Sequence, residues 1–180
     1  MNKLALGLML LPALAACSAG SGEGSWVGDY VTRSDFESVV GWGGDAASLT
    51  KERAHSGMYS VKVDAGREYG QTFDVSVGQA AVHPLKGLEL NAWALLLGPQ
   101  ATASVVLQIV DTSNNGFRVV HTEQLNLADQ IKNYKEWKPV TQRFTLPPNL
   151  QPDYRLRIYL WRNTATEPAY LDDLSVKALE

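Results

Sequence analysis

The chain has 180 residues, a formal net charge of −3 and one cysteine. That length suits a single domain with an ordinary core, and one cysteine excludes an internal disulfide framework. The mild acidity argues against a nucleic-acid binder, which asks for a basic patch.

The first element is a leader. Met1-Asn2-Lys3 is a short basic start, and the run from Leu4 to Ala13 is apolar. That run is too short for a spanning helix, which needs about 20 residues. Leu14-Ala15-Ala16-Cys17 follows as a small-residue cleavage site. This layout resembles the lipobox of bacterial lipoproteins. The resemblance implies cleavage before Cys17, acylation of its thiol and of the new amine, and a lipid anchor in the bacterial cell envelope. Ser18 stands where Asp favours inner-membrane retention in enterobacterial lipoproteins, so the same resemblance implies the outer membrane. Ser18 to Ser25 (SAGSGEGS) reads as a flexible tether, and about eight such residues span only about 15 Å. The expected organisation is a signal peptide at 1–16, an acylated cysteine and tether at 17–25, and one folded domain at 26–180.

Short strands and turns fill the rest. Candidate strands are Trp26–Thr32, Ala46–Thr50, Tyr59–Asp64, Gln71–Val77, Leu88–Leu97, Ala103–Asp111, Phe117–Glu123, Trp137–Leu146, Tyr154–Trp161 and Ala169–Lys177. They are rich in β-branched and aromatic residues and bounded by Gly, Pro, Asn and Asp. Asn114-Asn115-Gly116 predicts a hairpin turn, because a type I′ turn needs positive φ at both central residues. Leu127–Asn133 predicts one or two helical turns. Many short strands at regular spacing indicate an all-β, two-sheet antiparallel β-sandwich or jelly roll.

The Tyr154–Trp161 strand carries a candidate binding face. Side chains alternate, so Leu156, Ile158 and Leu160 belong to the core while Arg155, Arg157, Tyr159 and Trp161 share the other face. Gln108, on the Ala103–Asp111 strand, could join them across the sheet. Rings that pack on the C–H face of a pyranose, beside groups that bond its hydroxyls, suit sugar recognition. The alternative is that Trp161 caps the end of the sandwich and the arginines are solvated or paired with surface acids.

Several segments then resemble the galactose-binding-like jelly rolls, which include the carbohydrate-binding modules of bacterial xylanases and cellulases. They are Asp35-Phe36-Glu37 with Gly41-Trp42, the run Ala54 to Ser60 (AHSGMYS), and Leu90-Asn91-Ala92-Trp93-Ala94. Trp137-Lys138-Pro139-Val140, Phe144 to Pro147, Ile158 to Trp161 and Tyr170 to Val176 (YLDDLSV) complete the order. The resemblance implies a structural calcium tying the N-terminal strand region to the C-terminal strand, with Asp35, Glu37, Ser56 or its neighbours, and Asp172 as ligands. Six to eight oxygens from carboxylates and carbonyls suit that ion. The alternative is that Glu37 and Asp172 are turn and edge carboxylates satisfied by backbone N–H groups. In the same family Trp42, Trp93 and Trp137 look structural.

Catalysis finds little support. His55, His83 and His121 share no metal-ligand spacing, there is no Gly-x-Ser-x-Gly elbow, and the Gln-x-His of jelly-roll lyases is missing. The expected function is a non-enzymatic, membrane-anchored module that captures a polysaccharide or oligosaccharide at the envelope. A structural lipoprotein with protein partners and a small hydrolase or lyase are the competing readings. The oligomeric state is not readable from the sequence.

Overall fold

The computed structural model describes residues 30–113 and 116–179. The leader, Cys17, the tether and Trp26 lie outside the described residues, as do Asn114 and Asn115 of the expected hairpin turn.

The described chain is an antiparallel two-sheet sandwich, as its alternation and turn spacing predict. Its strands are β1 (Tyr30–Ser34), β2 (Trp42–Gly43), β3 (Leu49–Thr50), β4 (Ser60–Val63), β5 (Tyr69–Ser76) and β6 (Gly87–Leu96). They continue with β7 (Ser104–Asp111), β8 (Arg118–Asn126), β9 (Lys138–Thr145), β10 (Arg155–Trp161) and β11 (Ala169–Leu179). One sheet has the order β3-β4-β11-β6-β9, with β1 also paired to β11. The other, which we call the cleft sheet, has the order β2-β5-β10-β7-β8. Non-consecutive neighbours show that the chain crosses repeatedly between the layers.

The core lies between the sheets and follows period two. On β10, Leu156, Ile158 and Leu160 are buried at 0%, 0% and 1% exposure, while the residues between them reach solvent. Leu107 and Ile109 of β7 and Phe73 of β5 meet them from the same sheet, and Leu88, Leu90, Phe144, Leu171 and Val176 face them from the other. Phe36 is driven into this core although its φ is +57°. Its ring packs edge-on against Trp42 at 5.3 Å, and Trp42 meets Phe73 at 5.6 Å.

Several boundaries differ from expectation for local reasons. Ala46–Ser48 form a 3₁₀ turn instead of the start of a strand, because the Asp45 carboxylate accepts from Ala47 N–H at 2.9 Å. Buried Gln71 then donates to the Asp45 carbonyl at 2.6 Å and to Ser48 Oγ at 3.0 Å, which locks the turn against β5. The helix at Leu127 stops at Gln130, since Ile131 turns extended and is buried. A one-turn helix at Val77–Ala80 follows β5, where Val77 and Gly78 N–H groups bond the carbonyls of Tyr154 and Pro152. Phe117 stands ahead of β8, not within it, and is 61% exposed.

Ile158 is fully enclosed at the centre of the cleft sheet, between β5 and β7. Ile158→Ala should cost about 2–5 kcal/mol of unfolding free energy, read as a lower midpoint in a urea melt with an unchanged slope.

Candidate functional site

The outer face of the cleft sheet gathers the residues singled out on β10. Arg157 is in register with Asp74 of β5 on one side and Gln108 of β7 on the other. Tyr159 is likewise flanked by Thr72 and Val106, and Arg155 by Ser76 and Val110. Arg155, Arg157, Tyr159, Trp161 and Gln108 therefore share one face. Val106 and Val110 also lie on that face yet are 3% and 0% exposed, outside the inter-sheet core. They give the face an apolar floor beneath its polar groups.

Asp74 organises the two arginines. Its Oδ1 accepts from Arg155 Nε at 2.7 Å and its Oδ2 from Arg157 Nε at 2.8 Å. Arg155 also donates from Nη2 to the Asp74 carbonyl at 3.1 Å. The pairing with a surface acid, one of the alternatives open from the sequence, is thus present and involves both arginines. It occupies Arg157 only through Nε. The Arg157 guanidinium carbon sits 5.2 Å from the centre of the Phe117 ring, in cation–π range.

Two adjoining hollows meet at Arg157. One, of about 360 Å³, is lined by Tyr69, Thr72, Gln108, Phe117, Arg157 and Tyr159. The other, of about 540 Å³, runs past Thr72, Asp74 and the Gly41–Gly44 loop with Trp42. Tyr69 and Tyr159 meet edge to face at 5.9 Å. Burial, reinforced by Tyr69, pushes the Tyr159 phenol above its ordinary range, so it is a neutral hydroxyl at physiological pH. Trp161 lies at the end of the row, paired with Tyr69, and its indole N–H donates to Glu68 at 3.2 Å.

Tyr69, Thr72, Asp74 and Phe117 complete the cleft but were not readable as site residues. Their membership depends on strand register across about eighty residues of chain, and on a hairpin that brings Phe117 over β10. The one local signal was an aromatic beside a turn at each of positions 69 and 117.

The four residues that the family resemblance marks for calcium are each engaged by hydrogen bonds. Asp35 Oδ1 accepts from Glu37 N–H at 3.1 Å, closing the tight turn that sends Phe36 inward. Glu37 Oε1 accepts from Met58 and Tyr59 N–H at 2.6 and 2.7 Å. Buried Asp172 accepts from the N–H groups of His55, Ser56 and Asp173 at 2.7, 3.2 and 2.7 Å. Burial still pushes the Asp172 carboxyl up, against the pull of those three donors. Ser56 Oγ donates to Asp173, whose other oxygen lies 2.5 Å from His55 Nδ1. Both neighbouring acids reach the 55–56 segment, because the register of β11 shifts between Asp172 and Ser175 and Asp173 has φ +46°.

Among the described residues, no three His, Cys, Asp or Glu side chains form a group able to hold a metal ion. Asp35, Glu37 and Asp172 each accept from backbone N–H groups. The hydrogen bonds themselves tie the segment after β1 to the 55–59 turn, and that turn to β11. His55 completes the tie by stacking on Trp93 at 3.9 Å and meeting Trp137 edge-on at 5.8 Å. Trp42 is core, while Trp93 and Trp137 are half-buried packing around that turn.

The comparisons with known proteins agree with this architecture. A family model described as "Carbohydrate binding domain" matches residues 28–166. No curated protein sequence matches the chain. Among solved structures, the CBM22-1 xylan-binding domain of Paenibacillus barcinonensis is 18% identical, covers 85% of this chain and 96% of its own, and has a TM-score of 0.52. The CBM22-2 xylan-binding domain of the same protein is 16% identical, with 83% and 99% coverage and a TM-score of 0.52. A family 22 module of Clostridium thermocellum, described for the role of its cleft in ligand binding, is 14% identical, with 84% and 96% coverage and a TM-score of 0.52. At these identities the likeness establishes the fold.

A change at the tie should be costly in two independent ways. Glu37→Ala removes the acceptor of the Met58 and Tyr59 N–H groups; both bonds are exposed, so water replaces it and the cost should be about 1 kcal/mol. Gly57→Ala should also destabilise, because Gly57 has φ +56° and an added Cβ would fall 2.5 Å from Glu37 Oε1. Chelation tests whether an ion joins these hydrogen bonds: an unchanged melting temperature with EDTA would leave the backbone donors to hold the carboxylates alone. A fall of several degrees on chelation, reversed by calcium, would instead place an ion in the tie.

Proposed function

The chain belongs to the carbohydrate-binding domain family, and from that premise we propose that it is a non-catalytic module that holds a polysaccharide across the outer face of the cleft sheet. The observation that carries this reading is the cleft itself. Tyr69, Tyr159 and Phe117 offer ring faces, and Arg157, Gln108 and Thr72 offer polar groups between them. Sugar rings need both. The openness of the face to strands on either side suits a polymer segment rather than a small enclosed ligand. Xylan is the first polymer to test, since two structurally similar domains are named as xylan-binding.

We further propose that the module is carried on a lipid anchor at Cys17, in the outer membrane of a bacterial envelope. The support is the lipobox-like segment Leu14-Ala15-Ala16-Cys17 and the short polar tether after it. Several acyl chains on one residue give stable attachment where a single chain does not. Among the described residues, no helix is long and apolar enough to cross a membrane.

Affinity electrophoresis and calorimetry on a glycan panel test the first proposal. Tyr159→Ala should weaken binding by about tenfold or more, as loss of one stacked ring removes about 1–3 kcal/mol, with an unchanged circular-dichroism spectrum. Failure of the wild type to bind any glycan would overturn it. For the anchor, labelled palmitate should enter the wild-type chain in cells and not Cys17→Ser, which should fractionate as soluble; an unlabelled wild-type chain would refute the lipidation.

A further inference from the structure

We infer that the cleft selects glycans whose sugars carry carboxylates, and that Arg157 is the residue that reads them. This inference rests on the polysaccharide-binding reading above and adds the chemical class of the ligand.

The charge around the cleft is unbalanced in one direction. Asp74 and Arg157 are the charged residues lining the two hollows, and Asp74 is already shared between Arg155 and Arg157. Two guanidinium groups on one carboxylate leave one positive charge in excess. Charged residues at the two ends of the face are engaged with other groups. Arg118 pairs with Asp111 at 2.7 Å, an exposed pair whose carboxyl is held down to about 2 by Ser113 and Arg118. Glu68, at the far end of the row, accepts the Trp161 indole N–H.

The geometry assigns the excess to Arg157. Arg155 spends both Nε and Nη2 on Asp74. Arg157 spends only Nε, and among the described residues no group accepts from its two Nη nitrogens. Those nitrogens form the outer edge of a planar fork that matches a carboxylate with two parallel hydrogen bonds. The fork is held in place from two sides. Asp74 Oδ2 fixes Nε, and the centre of the exposed Phe117 ring lies 5.2 Å from the guanidinium carbon. A pre-oriented fork loses little side-chain entropy when a ligand arrives. Gln108, Tyr159 and Thr72 surround it with neutral partners for the hydroxyls of the same sugar. A purely neutral glycan would leave this fork with hydroxyl acceptors alone, a weaker match for a charged donor.

The test uses glucuronoxylan, polygalacturonate and alginate, each compared with the same polymer after its carboxyl groups are reduced to alcohols. A neutral panel and dextran sulfate run beside them. The expected result is that wild-type protein binds at least one native polymer about tenfold more tightly than its reduced form, the effect of one charge-assisted contact. Arg157→Gln should erase that difference; the readout is the ratio of native to reduced affinity, whatever the variant's affinity for the reduced form. Equal binding to native and reduced polymers would overturn the inference and leave the polysaccharide reading standing. Dextran sulfate binding as tightly as the best carboxylated polymer would also overturn it, because it would show general attraction to anions. No binding to any glycan would remove both readings. Should Arg157→Gln fail to fold, Arg157→Lys keeps the charge without the fork: it should lower the native-to-reduced ratio, and an unchanged ratio would remove Arg157 from the inference.

Discussion

Strand β10 carries the constraint on which the rest depends. Its side chains must serve two environments in strict alternation, and it is paired on both edges, to β5 and to β7. A slip of one residue would put Arg155, Arg157 and Tyr159 into the core and Leu156, Ile158 and Leu160 into water. Burying unpaired guanidinium groups costs several kcal/mol each, so the register is fixed by what it would destroy. The same register then dictates the cleft. Asp74 faces the arginines because β5 is locked opposite Ile158 through Phe73, and Gln108 faces Arg157 because Leu107 is locked there from the other side. The binding face is a consequence of core packing read one residue over.

That dependence explains how Asp74 can shape a site at the surface. Exposed ion pairs contribute little to stability, and the Asp74 pairs are about one-third exposed. Their effect is on geometry. One carboxylate between two arginines prevents the guanidinium groups from repelling each other apart. It holds both through Nε, and it leaves the two Nη nitrogens of Arg157 outside that pairing. The apolar floor of Val106 and Val110 limits water beneath, which strengthens polar contacts made above it.

The sandwich was legible in the sequence because its signal is local. Alternation in 154–161, Gly, Asn and Pro at the turns, and the run of short apolar segments each act over a few residues. The face of Arg155, Arg157, Tyr159 and Trp161 was legible for the same reason. What pairs with that face was not. Asp74 and Thr72 are ordinary polar residues in the sequence, and only the β5–β10 register gives them a place beside Arg157. Phe117 reads as a strand residue, but its strand begins one position later, so the ring is released over the sheet. The 3₁₀ turn at Ala46 was hidden because its cause is a side-chain bond from Asp45 and a clasp from Gln71, twenty-six positions away. The acidic motifs were legible as motifs, whereas their hydrogen-bond partners in the 55–59 turn were set by a register shift at Asp172–Ser175.

The point where the chain enters the sandwich bears on how a tether could act on the cleft. Tyr30 pairs with Lys177 in the sheet that contains β11, the layer opposite the cleft sheet. It is also clasped there, with the Arg33 guanidinium 3.4 Å and the Lys177 ammonium 4.8 Å from its ring centre. Packed sheets stand about 10 Å apart, so a force applied at Tyr30 falls on one layer and the ligand on the other. Arg157 and Tyr159 therefore lie on the layer that does not contain Tyr30, so a ligand on their face and a pull on the N-terminal strand act on different sheets.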